Sequence, residues 1–209
     1  MKDKDRDILC KLVEQKLRIS QSPVNSERRS AWYKLDTGDT DCRPMILAET
    51  GGIRDERLPF ANPDLECEDE WARGLERGFK AEMWTFEHLK DDHVIEPYLN
   101  VPWRVKATGY GVEAVQHHAD GAVLGARSWD HPLQNLGEDL DKLEEREFSV
   151  DRQATYDEVE KLEGVFGGIL PVRIRGGYWW TLGMTIQAID FIGLENLMLY
   201  MFDDPEGLH

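Results

Sequence analysis

Three short apolar runs, near residues 44–49, 92–96 and 169–175, are bounded by Pro and Gly and separated by much longer tracts of helical periodicity. An apolar run without polar alternation suits a strand buried on both faces, as happens where helices cover a parallel sheet. The alternation of such strands with helices predicts a parallel α/β architecture. It also sets a limit. The chain has 209 residues and only these runs, whereas a closed (β/α)8 barrel uses eight strands and typically about 250 residues.

The helical tracts read clearly. Ile8, Leu9, Leu12, Val13 and Leu17 share one face of a 3.6-residue period and predict a helix over 3–19, which Ser22-Pro23 breaks. A short helix over 24–36 carries Trp32 and Leu35 on its apolar side. Trp71, Leu75, Phe79, Met83, Phe86 and Leu89 recur at spacings of 4, 4, 4, 3 and 3 and predict a helix over 69–90. The acids at its start suit the positive end of the helix dipole. Further helices are predicted around 138–145, over 151–166 and over 181–202 with a break near Gly193, and 203–206 begin another turn. Residues 111–117 alternate Val112 and Ala114 with polar side chains and predict a hairpin element outside the main sheet.

Charge narrows the partners. The chain has 25 Lys and Arg against 41 Asp and Glu, a net charge of -16. Phosphate backbones and anionic membrane surfaces are bound through Lys and Arg, so nucleic acid and membrane are excluded as partners. Seven Trp and a 41% hydrophobic content exclude a disordered coil. The most apolar stretch, 184–202, is interrupted by Gln187, Asp190, Glu195 and Asn196, and the N-terminus is charged where a secretory signal is apolar. Cys10, Cys42 and Cys67 form no C-x-x-C and no disulfide framework. The expectation is a reduced, cytoplasmic protein.

Four stretches carry a resemblance: Arg43-Pro44-Met45-Ile46-Leu47; 92–103, which begins Asp92-His93-Val94-Ile95-Glu96-Pro97; the acidic segment 132–151; and Gly168-Ile169-Leu170-Pro171-Val172-Arg173, with 193–197 and 203–206 beyond it. Taken in this order, the chain resembles the N-terminal half of the uroporphyrinogen decarboxylase superfamily, in its branch of decarboxylase-like proteins and corrinoid-linked methyltransferases. The resemblance implies the N-terminal portion of a (β/α)8 TIM-type barrel, incomplete. Residues 1–42 would be a helical N-terminal extension and 43–209 a partial barrel holding the first three strands and their helices. It implies methyl transfer between a small methylated substrate and a corrinoid protein, with zinc as a possible cofactor whose Cys ligands lie in the absent half. The alternative within the family is decarboxylation of a tetrapyrrole such as uroporphyrinogen. The arginine-bearing loop that such decarboxylases carry after their first strand is not reproduced: 50–54 reads Thr-Gly-Gly-Ile-Arg. A third reading is a non-catalytic half-barrel that needs a partner chain, a second copy or a missing C-terminal half.

Functional side chains of parallel barrels sit where strands end and loops begin, which selects the candidates. Glu49 ends the first run, as a carboxylate at the barrel mouth or as a solvated loop acid. Glu96, Tyr98 and Asn100 follow the second run; Glu96 either meets substrate or metal or caps the turn before Pro97. Arg173 and Arg175, at i and i+2, point to one face of their strand. They either recognise an anion or are satisfied by internal carboxylates. Glu49, Glu96 and Arg175 are the catalytic candidates. Tyr98, Asn100, Arg173, Tyr178 and Trp179 are the substrate-binding candidates, the last two as stacking surfaces or as packing. His117 is a metal-ligand candidate, although its neighbour His118 faces the other side of an extended strand. Gly74 and Gly78 lie within a predicted helix and carry little signal.

Overall fold

The computed structural model describes residues 1–48, 65–118, 127–177 and 184–209. In chain order, α1 is Asp3–Ser20, α2 Pro23–Asp36, α3 Glu70–Trp84, β1 Leu99–Val101, β2 Val105–Ala107, β3 Val115–His118 and β4 Arg127–Asp130. Then come α4 Leu136–Asp139, β5 Phe148–Val150, α5 Arg152–Phe166, β6 Val172–Ile174, α6 Thr185–Ile192, α7 Leu194–Asp203 and α8 Pro205–Leu208. The protein is a mixed α/β chain of two compact units. One comprises Met1–Pro102 and Gln153–Arg175; the other comprises Trp103–Arg152 and Gly176–His209. No helix of the described residues is long and apolar enough to cross a membrane.

The helices follow the periodicity, and their ends have local causes. Ser22 caps α2 by accepting from the Asn25 N–H, with Pro23 in the first turn, where its missing N–H costs nothing. Asp69 caps α3 through the Ala72 N–H. The tract expected to run unbroken to Lys90 instead widens into a π-turn at Thr85–Leu89, and Lys90 leaves it with a φ of 53°.

In the first unit, α1, α3, α5 and β1 close on one core. Leu9 and Val13 of α1, Phe79 and Met83 of α3, and Leu162 and Phe166 of α5 pack with Leu99 and Val101. Phe79 meets Phe166 edge to face, with ring centroids 6.0 Å apart. Burying each such side chain contributes about 1.5–3 kcal/mol. Helices α1 and α2, expected as an extension, thus lie in the same unit as β1 and β6.

The strands depart most from expectation. Three runs of a parallel sheet were expected; among the described residues, one parallel pair is present. β1 pairs with β6 in parallel, Leu99 opposite Val172, Asn100 opposite Arg173 and Val101 opposite Ile174. No strand forms at 92–96 because side chains occupy its hydrogen-bonding groups. The buried Asn25 amide donates to the Ile95 carbonyl at 2.9 Å and accepts from the Ile95 N–H at 2.8 Å. Pro97 supplies no N–H of its own, so ladder pairing waits until Leu99. Residues 44–48 likewise join no sheet. The Ile46 N–H donates to Asp92 at 2.7 Å and the Ala48 N–H to Asp91 at 2.8 Å, while the Ile46 carbonyl accepts from the Asp92 N–H. The other described sheets are two antiparallel ribbons, β2 with β5 and β3 with β4. Among the described residues, nothing closes into a barrel. The β3–β4 ribbon coincides with only 115–117 of the hairpin element expected at 111–117; Val112 and Ala114 lie before the strand.

In the second unit, Leu133, Leu136, Ile192 and Leu197 form the core between α4, α6 and α7. The break near Gly193 is obligatory. Gly193 has a φ of 81°, and a Cβ there would fall 2.5 Å from the His131 Nε2. Only glycine meets both conditions.

Two carboxylates with no exposed surface hold the entry to α3. Asp5 accepts from the Glu68 and Asp69 N–H groups, each at 3.1 Å. Glu76 accepts from the Glu66 and Cys67 N–H groups at 2.9 Å and pairs with Lys80 at 2.7 Å. Burial alone would raise the Glu76 pKa, but Lys80 and the two N–H donors outweigh it and hold the carboxyl at about 2, against an ordinary 4.5. A depressed carboxylate contributes its stability in full above the unfolded value and loses it as pH falls toward the folded one. Glu76→Gln is therefore expected to cost about 1–2 kcal/mol in urea unfolding at pH 7. The difference from the parent should shrink as the pH is lowered from 4.5 toward 2. An equal difference at both ends of that window contradicts the assignment.

Candidate functional site

The site begins with strand alternation. Leu99 and Val101 point into the core, so Asn100 between them points outward. Parallel register places Arg173 directly opposite Asn100, and Arg175 follows two residues later toward the same side. Tyr98 is two residues before Asn100, and the turn at Pro97 and Tyr98 carries Glu96 back toward them. Glu96 thus precedes β1 instead of ending a strand, yet it becomes the hub of the cluster.

Glu96 accepts from the Tyr98 hydroxyl at 2.8 Å and from the Asn100 amide at 2.7 Å. Arg175 grips both of its oxygens, at 3.0 and 2.9 Å, and Arg173 reaches one at 3.4 Å. The Arg173 Nε donates to Asn100 Oδ1 at 2.7 Å, and its guanidinium lies over the Tyr98 ring, 3.2 Å from the centroid. Guanidinium over an aromatic face is a favourable cation–π arrangement. Burial would raise the Glu96 pKa, but the Tyr98 and Asn100 hydrogen bonds and the two arginine charges together hold it below the ordinary carboxylate value. Burial and the adjacent Glu96 push the Tyr98 phenol up. A carboxyl held ionised is the reverse of what a proton donor at neutral pH requires. Two guanidiniums against one carboxylate leave a net positive charge, which repels a cation and attracts an anion.

The cluster stands on a cleft of about 360 Å³. Glu96, Tyr98 and Asn100 line it together with Lys16, Phe79 and Glu82, while Arg173 and Arg175 reach Glu96 from outside that lining. Lys16 and Glu82 bond across α1 and α3 at 2.6 Å. Gly74 and Gly78 also border it, and nothing lies within 4 Å of a Cβ built at either position. Their i, i+4 spacing leaves a notch in the α3 surface. That notch, Lys16 and Glu82 were not singled out from sequence. The glycine spacing was the available signal, and it gains meaning only once α3 is placed beside β1.

Five candidate residues therefore meet in one place: Glu96, Tyr98, Asn100, Arg173 and Arg175. Glu49, Tyr178 and Trp179 lie outside the described residues. His117 lies elsewhere, on β3 in the other unit, where its Nε2 is 2.9 Å from Asp130 Oδ2. Among the described residues, no group of three His, Cys, Asp or Glu side chains is placed to hold a metal ion.

Comparison with known proteins finds no family model, no curated protein and no solved structure that matches the chain.

The cluster's position depends more on Asn25 than on its own ion pairs. Asn25→Ala leaves two buried backbone groups of Ile95 unpaired and is expected to cost about 2–3 kcal/mol. Glu96→Gln disturbs a partly solvated ion pair and should cost less than about 1 kcal/mol. Urea unfolding of both variants at pH 7 checks this order, and the opposite order contradicts it.

Proposed function

We propose that this chain is a uroporphyrinogen decarboxylase-like protein in which Arg173 and Arg175 take up a small anionic substrate. The reaction we assign is methyl transfer between a small methylated substrate and a corrinoid protein. The observation that carries this reading is the charge imbalance of the cluster itself, where two guanidiniums share one carboxylate. Glu96 acts here as a fixed counter-charge. It orders both arginines before the ligand arrives, which lowers the cost of organising them on binding. As a methyl group leaves a substrate, negative charge grows on the atom left behind, and an adjacent guanidinium stabilises that charge. Among the described residues, no group of three His, Cys, Asp or Glu side chains would hold the zinc that the resemblance implies.

The finer fold reading belongs to the same proposal: a helical extension over 1–42, then the first strands of a (β/α)8 barrel. Chain order supports it. Residues 44–48 bond to 91–92, and β1, which follows, pairs in parallel with β6. Successive segments of an α/β sheet are commonly neighbours. A cytoplasmic setting, and a second copy or complementary half-barrel as partner, are parts of the same reading.

The arginine pair also favours a second reading, tetrapyrrole decarboxylation, because guanidiniums suit the carboxylates of such a substrate. Against it stands the ionised state of Glu96, which unfits that carboxyl to be the proton donor such a reaction needs.

Incubation with cob(I)alamin and methoxyacetate separates these readings. Methylcobalamin absorbance should rise with the parent protein and form at least about tenfold more slowly with Arg175→Ala. Carbon dioxide release from uroporphyrinogen in its place supports the decarboxylase. Neither activity overturns both and favours the non-catalytic half-barrel.

A further inference from the structure

Helix α7 is apolar on both sides. One side is occupied: Leu197 is buried against Leu133, Leu136 and Ile192, with Tyr200 packed beside it. At 100° per residue, Met201, Leu194, Met198, Phe202 and Leu199 sweep the opposite arc. All five are exposed, Phe202 at 87% and Met198 at 58%. A helix on a protein surface ordinarily carries charge on its outer face. Met and Phe grouped in water instead mark a binding surface, since Met adapts to varied partners and large exposed apolar patches are rarely left without a role.

The charges around this arc say what fits it. Glu195 lies within it and Asp203 at its edge, both exposed, while Asp204 and Glu206 follow in the next turn. From Gly176 to His209 there is no Lys or Arg. The charges that α7 and α8 themselves contribute beside the apolar face are therefore all negative, on a chain of net charge -16. A second copy docked symmetrically would set these acids against themselves. An anionic membrane would repel them. A positively charged apolar surface is complementary on both counts.

We propose that the outer face of α7 is the docking site for a protein partner that presents a Lys/Arg-rich amphipathic helix. The partner's apolar side chains cover Met198, Met201 and Phe202, and its cations meet Glu195 and Asp203.

The test uses the full chain and a fluorescent synthetic helix of Leu and Lys in amphipathic order, read by anisotropy. A matched helix with Glu in place of Lys is the control. The Leu/Lys helix should bind the parent, and its affinity should fall with salt. Met198→Ser/Phe202→Ser should weaken binding at least about tenfold. Glu195→Gln/Asp203→Asn should weaken it and flatten the salt dependence. The Leu/Glu helix should not bind. These four side chains are solvent-exposed, and circular dichroism of each variant verifies that the fold is kept. The proposal is overturned if the parent does not bind the Leu/Lys helix, or if both double variants bind it as the parent does. It is overturned equally if sedimentation shows the parent to be a dimer that Met198→Ser/Phe202→Ser dissociates, which would make the face a self-interface.

Discussion

One side-chain amide does the work of a neighbouring strand. Asn25, buried in α2, pairs with both backbone groups of Ile95, much as a peptide group of an adjacent strand would. It thereby ties α2 to the segment that leads into β1. A third contact, from Asn25 to the Ser20 carbonyl at 2.9 Å, ties the same point to the end of α1. The turn at 97–98 therefore starts from a fixed place, and so do Glu96, Tyr98 and Asn100. The cluster's geometry is inherited from a buried polar contact that is costly to leave unmade.

The same logic recurs with acids. Asp5, Glu76, Asp91, Asp92 and Asp139 are all buried. Asp139 accepts from the Gln134 and Asn135 N–H groups, as the others accept from loops near them. The Arg43 guanidinium beside Asp92 holds its carboxyl at about 2. The surplus of acid is thus not confined to the surface. Part of it replaces the ladder hydrogen bonds that short sheets do not supply. Glu96 is likewise held ionised, by Tyr98, Asn100 and two arginines, and two guanidiniums converge on its single carboxylate, so it organises charges that a ligand can meet.

This explains which features were legible in the sequence. Helices were, because α1, α3 and α5 write their buried faces in a 3.6-residue pattern. The same-face placement of Arg173 and Arg175 was also legible, as strand alternation requires it. The strands read at 44–48 and 92–96 were misread, since apolar character reports burial and not the identity of the hydrogen-bonding partner. Ile95 is as buried as a sheet residue, yet a side chain pairs with it. The convergence of Glu96 on Arg175 joins residues 79 positions apart and depends on the β1–β6 register, which local pattern does not encode. The notch at Gly74 and Gly78 was hidden for the same reason.

The central claim is that Arg173 and Arg175, ordered by Glu96, form a receptor for a small anion. The most direct measurement is a titration of the protein with methoxyacetate, followed by the arginine Nε–Hε resonances in two-dimensional NMR, with Arg173→Lys and Arg175→Lys used for assignment. The account predicts saturable shifts of the Arg173 and Arg175 signals, lost when methoxyethanol replaces the acid. Signals of Arg173 and Arg175 that stay fixed while the acid is raised to saturation of any other site, or that move equally with the neutral analogue, would contradict it.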